Sequence, residues 1–175
     1  AVIRGVLANI NKVIESPKIF VNASKGIEPN TYKRVSEITR EEVDAKYIKG
    51  FVALTGPSHA EEVIQQMLTV VTAASDDMEI AKKVQEIFSN QTYFRVYRLN
   101  DLIGAELGGS LKNIIALASG ILEGLGYGDN TKAALITRGL VEMRRLAVAM
   151  GAKEETLFGL TGLGDLVVTA MSKHS

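Results

Sequence analysis

Apolar residues follow two different spacings along the first hundred positions of the chain. Four short runs rich in β-branched and aromatic residues are typical of strands, and the segments between them space their apolar residues as amphipathic helices do. The predicted helices cover 2–15, 31–44, 59–66 and 78–89, and the predicted strands cover 18–24, 50–56, 68–75 and 92–99. Strands and helices that alternate through short connections indicate an α/β layer with at least partly parallel strands.

The pattern changes at Asn100-Asp101, and no convincing strand follows. Residues 101–124 and 131–150 each show a long helical pattern, and Gly151 is a natural C-terminal cap of the second. The glycine-rich stretch GLTGLGD (159–165) leads into a last helix. These patterns predict an α/β part followed by an all-helical part, with the boundary near residue 100.

Composition narrows the possible functions. The 175 residues are 46% hydrophobic, enough for a sizeable core, and 20 basic and 20 acidic residues leave no basic field for nucleic acid. The chain has no cysteine, which excludes disulfides and cysteine ligands, and its two histidines argue against a histidine-rich metal site. We therefore predict no metal and no membrane span, and the missing cysteines fit a reducing cytoplasm.

Lys112 is the most interesting ionisable residue because apolar helix positions surround it in ELGGSLKNIIALASGI (106–121). One interpretation is a lysine whose stem snorkels to the surface. The other is a desolvated amine with a lowered pKa that can move a proton near neutral pH. The adjacent Gly108-Gly109 pair costs helix stability, which is understandable if a backbone or a ligand must approach closely.

Two further features have two interpretations each, and a third has one. GLTGLGD (159–165) differs from the dinucleotide fingerprint and has no preceding strand, so we expect a tight turn in which Asp165 caps the next helix or pairs with a lysine. Lys25 and Ser58 each follow a predicted strand, and they could face one ligand crevice or lie in ordinary loops. His59 begins a predicted helix, and we expect it to be exposed.

Taken together, four sequence segments resemble NAD(P)-dependent glycerol-3-phosphate dehydrogenase of the bacterial soluble type. They occur in the family's order and spacing, and the resemblance covers essentially the whole chain. The segments are SKGIE (24–28), TGPSHAEE (55–62), the block 101–143, and FGLTGLGDLVVT (158–169). The resemblance implies that residues 1–100 are the C-terminal part of a Rossmann-type dinucleotide-binding domain and that 101–175 are a truncated helical substrate and catalytic domain.

The resemblance also implies roles for individual residues. Lys112 would be the proton donor and acceptor at the substrate C2 oxygen, and Asp165 the acid beside it. Lys25 would lie near both cofactor and substrate, with Ala60 near the cofactor. The remaining substrate-binding positions would be Gly56, Ser58, Asn113, Thr169 and Ser175.

The implied reaction interconverts sn-glycerol 3-phosphate and dihydroxyacetone phosphate with NAD or NADP, supplying glycerol 3-phosphate for glycerophospholipid synthesis. Its partner is a small molecule, and a homodimer is a family expectation. His59 stands where we expect an aromatic residue, and we do not expect this difference to alter the chemistry. Two features of the family that matter for binding are missing: the G-x-G-x-x-G motif and the arginine expected to bind phosphate after Ser175. We therefore expect the sequence to begin inside a longer protein, and the isolated chain to bind cofactor poorly.

Two other functions fit parts of the same pattern. Dehydrogenases acting on 6-phosphogluconate or β-hydroxyacids also pair a Rossmann half with a helical domain and a catalytic lysine. They place asparagine one helical turn after that lysine, whereas Lys112 and Asn113 are adjacent here. The third possibility is a helical scaffold or assembly module without activity.

Overall fold

A computed structural model describes residues 2–172. Its elements alternate as predicted up to Leu99 and are helical thereafter. In chain order they are α1 (Val2–Val13), β1 (Lys18–Asn22), α2 (Val35–Glu42), a 3₁₀ turn (Ala45–Tyr47), β2 (Ile48–Thr55), α3 (Ala60–Ile64), β3 (Thr69–Ala74), α4 (Met78–Phe88), β4 (Phe94–Leu99), α5 (Leu102–Gly124), α6 (Asp129–Ala149), α7 (Glu154–Leu157), a π-helical turn (Leu160–Gly164) and α8 (Asp165–Met171).

The four strands form one sheet in the order β1-β2-β3-β4. The pairs β1/β2 and β3/β4 are parallel and β2/β3 is antiparallel, so the prediction of a partly parallel sheet is confirmed. Successive side chains of a strand point to opposite faces of the sheet, and helices pack against both faces. On β2, Phe51 and Ala53 pack with Leu102 of α5, while Val52 packs with Ile80 of α4. Burial on both faces explains why β2 is an almost continuous apolar run.

The helical part is built around α5. Its residues Leu107, Leu111 and Ile115 form a core with Met143 of α6 and Leu166 of α8. The C-terminus of α6 is a Schellman motif, as the cap prediction implies: the N–H groups of residues 151 and 152 donate to the carbonyls of 148 and 147, at 3.0 and 2.9 Å. Within the described residues, none of the helices is long and apolar enough to cross a membrane.

Asp101 fixes the start of α5 and its contact with α7. Its Oδ1 accepts the N–H of Gly104 at 2.9 Å, and its Oδ2 accepts the N–H of Lys153 at 2.9 Å. The carboxylate is buried, so it caps one helix and holds the start of another at the same time. The change of pattern at Asn100-Asp101 therefore coincides with the start of α5.

The predicted bounds were wrong at α2. The helix begins at Val35 instead of residue 31, because residues 28–33 close on themselves: Glu28 N–H donates to the Lys33 carbonyl and Tyr32 N–H to the Glu28 carbonyl. Asn30 and Tyr32 adopt φ values of 71° and 57°, which a helix cannot accommodate.

Candidate active site

Lys112 does not snorkel to the surface. It lies on α5 and is 5% exposed, and its Nζ donates to Asp165 Oδ1 at 2.7 Å and to the hydroxyl of Thr169. Thr169 in turn donates to the carbonyl oxygen of Asp165, one turn earlier on α8, at 2.7 Å. Between the two interpretations of Lys112, the structure therefore favours the desolvated amine.

Asp165 bridges two lysines. Its Oδ2 accepts from Lys25 Nζ at 2.5 Å while its Oδ1 accepts from Lys112, and the carboxylate is only 1% exposed. Asp165 is the first residue of α8, where the helix dipole favours a negative charge, but its side chain makes no capping bond. The interpretation of Asp165 as a helix cap was therefore wrong, and the interpretation as a buried partner of lysine is confirmed.

The electrostatics of the cluster favour proton transfer by Lys112. Burial lowers the pKa of Lys112, the bond to Asp165 opposes that shift, and the nearby charge of Lys25 adds to the lowering. Two ammonium groups on one carboxylate leave a local positive charge. Such a site can stabilise an oxyanion and can exchange a proton with it.

Gly108 allows the π-helical turn to reach α5. A Cβ at this position would lie 2.5 Å from the carbonyl oxygen of Thr161. This close approach brings the start of α8, and with it Asp165, against Lys112. The expectation that the glycine pair admits a neighbouring backbone is therefore confirmed at Gly108. At Gly109, an added Cβ would lie 3.4 Å from Cγ of the Lys25 stem.

Gly108→Ala is expected to lower the free energy of unfolding by about 1–3 kcal/mol, because a rigid backbone oxygen blocks the new methyl group. The loss should appear despite the roughly 1 kcal/mol that alanine gains over glycine in a helix. Urea unfolding measures it. Gly109→Ala is the matched control, since the flexible Lys25 stem can yield, and it should be at least as stable as the unchanged protein. Equal stability of the two variants would contradict this account of the turn.

An open groove runs between α5 and α8 next to Thr169, the hydrogen-bond partner of Lys112. It is lined by Asn113, Ala116, Leu117, Gly120, Ile121 and Thr169. Two predicted substrate neighbours, Asn113 and Thr169, therefore share one groove, and Thr169 links it directly to Lys112. Ser175 lies outside the described residues.

The β2–α3 loop follows the carboxyl end of β2, at the same sheet edge as the Lys25 end of the parallel β1. Gly56 has φ +136°, and a Cβ there would lie 3.1 Å from Val71 Cα, so this position requires glycine. Ser58 and Ala60 are exposed, and the Ser58 hydroxyl donates to the Gly56 carbonyl at 3.2 Å. Strand topology therefore puts both predicted loops at one edge.

His59 corrects one expectation. It is half-buried, and its Nε2 lies 3.4 Å from the carbonyl oxygen of Val168 on α8. The β2–α3 loop thus packs against the helix that carries Asp165. Within residues 2–172, no group of three or more His, Cys, Asp or Glu side chains is arranged to hold a metal ion.

Sequence patterns missed a polar cluster on the other side of α5. Glu106 is buried, and it accepts from the backbone and hydroxyl of Ser36 and from Arg34, while Ser110 accepts the N–H of Gly26. A glutamate on a helix whose neighbouring positions are apolar was the available signal. Its partners lie about 70 residues away in the sequence, and no local pattern identifies them.

Comparison with known proteins decides the family. Models of the two halves of one enzyme match the chain: the N-terminus of NAD-dependent glycerol-3-phosphate dehydrogenase at residues 1–81 and its C-terminus at residues 101–175. The chain belongs to the NAD-dependent glycerol-3-phosphate dehydrogenase family. The resemblance drawn from its motifs is confirmed.

Relatives and solved structures of this family agree. Glycerol-3-phosphate dehydrogenase [NAD(P)+] of Macrococcus caseolyticus is 56% identical over 99% of this chain and 52% of its own length, and that of Geobacillus kaustophilus is 57% identical over 99% and 50%. The crystal structure of the Coxiella burnetii glycerol-3-phosphate dehydrogenase matches with a TM-score of 0.92 at 39% identity, covering 99% of this chain and 52% of that one. The chain thus spans about half the length of these relatives, and its fold is that of the corresponding dehydrogenase half.

Proposed function

We propose that this chain carries the catalytic lysine cluster of an NAD(P)-dependent dehydrogenase that interconverts sn-glycerol 3-phosphate and dihydroxyacetone phosphate. The observation that carries the proposal is the buried Lys112 ammonium, which shares the carboxylate of Asp165 with Lys25. Membership of the family and the names of its relatives supply the reaction. The cluster supplies a chemical reason why this chain could perform it.

In the direction of reduction, the C2 carbon of dihydroxyacetone phosphate accepts a hydride and the π electrons of its carbonyl move to the oxygen. Lys112 Nζ donates a proton to that oxygen and becomes a neutral amine, completing the alcohol. Reduced nicotinamide, when bound, supplies the hydride and is itself oxidised. Asp165 holds the lysine in place, and Lys25 adds a second cation that stabilises the negative charge developing on oxygen.

The described residues fit the reactive end of such a cofactor. Lys25 has a side chain that is 25% exposed, and it follows β1 at the same sheet edge as the exposed Ala60, which follows β2. Ligands of α/β sheets gather at this edge. We assign Lys25 and Ala60 to the cofactor side. The sequence contains no G-x-G-x-x-G loop to hold the pyrophosphate, so these two contacts alone would bind NAD or NADP weakly.

We assign the substrate to the groove beside Lys112. Asn113 and Thr169 offer an amide and a hydroxyl to the small polar molecule. We assign Gly56 and Ser58, in the β2–α3 loop, to the substrate as well. Ser175 completes the proposed set. Residues 1–100 would then form the cofactor-facing part and residues 101–175 the substrate part, working in the cytoplasm as a homodimer and supplying glycerol 3-phosphate for glycerophospholipid synthesis.

The test uses the full-length natural protein. We expect it to oxidise NADH or NADPH when dihydroxyacetone phosphate is added, followed by the loss of absorbance of the reduced nicotinamide. Omission of dihydroxyacetone phosphate is the first control, and 6-phosphogluconate with NADP, in the oxidative direction, is the second. No oxidation above background, or turnover of 6-phosphogluconate in its place, would refute the proposal.

A further inference from the structure

Lys25 lies in a twelve-residue connection between β1 and α2, here named the Lys25 loop (residues 23–34). Its outer part is closed by its own backbone bonds between Glu28, Tyr32 and Lys33. That local closure does not orient the loop toward α5. The contact between Lys25 and Asp165 therefore depends on how the loop is attached to the helical part, against which Ile27 packs.

The start of the loop is attached to α5 through Ser110. The N–H of Gly26 donates to Ser110 Oγ at 3.0 Å, and the same hydroxyl donates to the carbonyl oxygen of Glu106 at 2.7 Å. Ser110 thus uses both of its hydrogen-bonding capacities, as donor within the helix and as acceptor from the loop. The bond falls on the residue next to Lys25, so it restrains the backbone from which the lysine projects.

The end of the loop is attached to α5 through the Glu106 carboxylate. It accepts from Arg34 Nη1 at 2.9 Å, from Ser36 N at 2.8 Å and from Ser36 Oγ at 2.6 Å. Ser36 is in the first turn of α2, so a carboxylate from a distant helix caps α2. Burial raises the pKa of the Glu106 carboxyl, while the contacts with Ser36 and Arg34 oppose that shift.

We propose that Glu106 and Ser110 are positioning residues, which hold the two ends of the Lys25 loop on α5 and thereby keep the Lys25 ammonium on Asp165. Both lie on the helix that carries Lys112, so one rigid element sets the relative position of the two lysines. The attachment is a property of the fold. Its effect on turnover rests on the proposed function.

Amine labelling tests the attachment without any need for activity. Reductive methylation, followed residue by residue by mass spectrometry, should modify Lys25 about five-fold faster in Ser110→Ala than in the unchanged protein, since a typical hydrogen bond is lost. Lys46, whose side chain is 68% exposed, is the internal reference. Ser110→Thr, which keeps the hydroxyl, should restore slow labelling.

Thr137→Ala is the matched control. Its hydroxyl makes the same kind of bond within α6, to the carbonyl of Ala133 at 2.8 Å, but touches no part of the Lys25 loop. Glu106→Gln should accelerate the labelling of Lys25 as Ser110→Ala does, through the other end of the loop. Unchanged Lys25 labelling in Ser110→Ala, or equal acceleration in Thr137→Ala, would overturn the proposal.

Kinetics of the full-length protein add a result that a general loss of stability would not produce. The charged and polar groups facing Lys112 are Asp165 and Thr169 from α8 and Lys25 from the loop. A Lys25 released from the cluster no longer lowers the pKa of Lys112. The alkaline limb of the kcat/KM profile for reduction should therefore move to higher pH in Ser110→Ala and stay in place in Thr137→Ala. A full-length protein without turnover would refute the proposed function, whereas the labelling result would still decide the attachment.

Discussion

Lys112→Met in the full-length protein is expected to reduce kcat/KM for dihydroxyacetone phosphate by at least about 10³-fold. General acid catalysis by a positioned group contributes about 10²–10⁴-fold, and a cation next to the developing oxyanion adds to that. Methionine keeps a long unbranched side chain, so the apolar surroundings of Lys112 remain filled. Asp165 retains Lys25 as its partner, and the buried carboxylate is therefore not left alone.

Steady-state kinetics with circular dichroism and urea unfolding measure the effect. Lys132→Met is the control, because it also removes a lysine from a pair with a carboxylate, Glu123 Oε2 at 2.8 Å, in the helical part. That variant should keep turnover within about two-fold, because Glu123 is 57% exposed and lies about three turns of α5 beyond Lys112. Turnover in Lys112→Met within ten-fold of the unchanged protein would remove Lys112 from the proposed mechanism.

Most of the fold could be predicted because each of its strands and helices has a recognisable hydrophobic pattern within its own sequence. β2 was expected over 50–56 and spans Ile48–Thr55, since a strand buried on both faces has to be apolar throughout. α5 was expected over 101–124 and spans Leu102–Gly124. The predicted end of β1, at residue 24, was two residues too late. The Asn22 side chain donates to the carbonyl of Ser24 and accepts its N–H, which ends the strand at Asn22.

The order of the strands could not be read from local patterns. An apolar run predicts a buried strand, but the direction in which β3 runs against β2 depends on pairing between residues such as Ala53 and Ala74. The start of α2 combines local and distant contacts. Residues 28–33 close on themselves before it, and Glu37 accepts the N–H of Arg34 at 2.9 Å. Glu106, 70 residues away, accepts the N–H of Ser36, and no pattern near α2 reveals that partner.

The candidate site was predictable residue by residue but not as an arrangement. An apolar neighbourhood is compatible with a snorkelling lysine as well as with a desolvated one, and only a partner 53 residues away decides between them. The glycine-rich GLTGLGD stretch indicated a tight turn. Its closeness to Gly108, which brings Asp165 to Lys112, is a contact between distant segments.

Asp165→Asn is expected to lower the free energy of unfolding by about 3 kcal/mol at neutral pH. Removing one partner of a buried ion pair typically costs about 3–5 kcal/mol, because the other charge stays buried. The low end applies here, since Lys25 is partly exposed and can turn to water, whereas Lys112 cannot. Asp76→Asn is the control: its pair with Arg40, at 3.3 Å, is exposed on both sides, and its loss should cost less than about 1 kcal/mol.

The pH dependence of the stability lost in Asp165→Asn should identify buried Lys112 as the source of that loss. Without Asp165, the pKa of Lys112 in the folded protein falls below its value in the unchanged protein, which burial already holds below the 10.5 of an unfolded lysine. Between those two folded-state pKa values, the unchanged protein binds more protons than the variant, while their unfolded states bind equally at this lysine. The stability gap should therefore be widest below the variant's pKa and shrink as pH rises through it, whereas the small gap of Asp76→Asn stays constant. Urea unfolding from pH 6 to about pH 10 measures both, and a gap that does not narrow would mean that Asp165 stabilises the fold by some route other than neutralising Lys112.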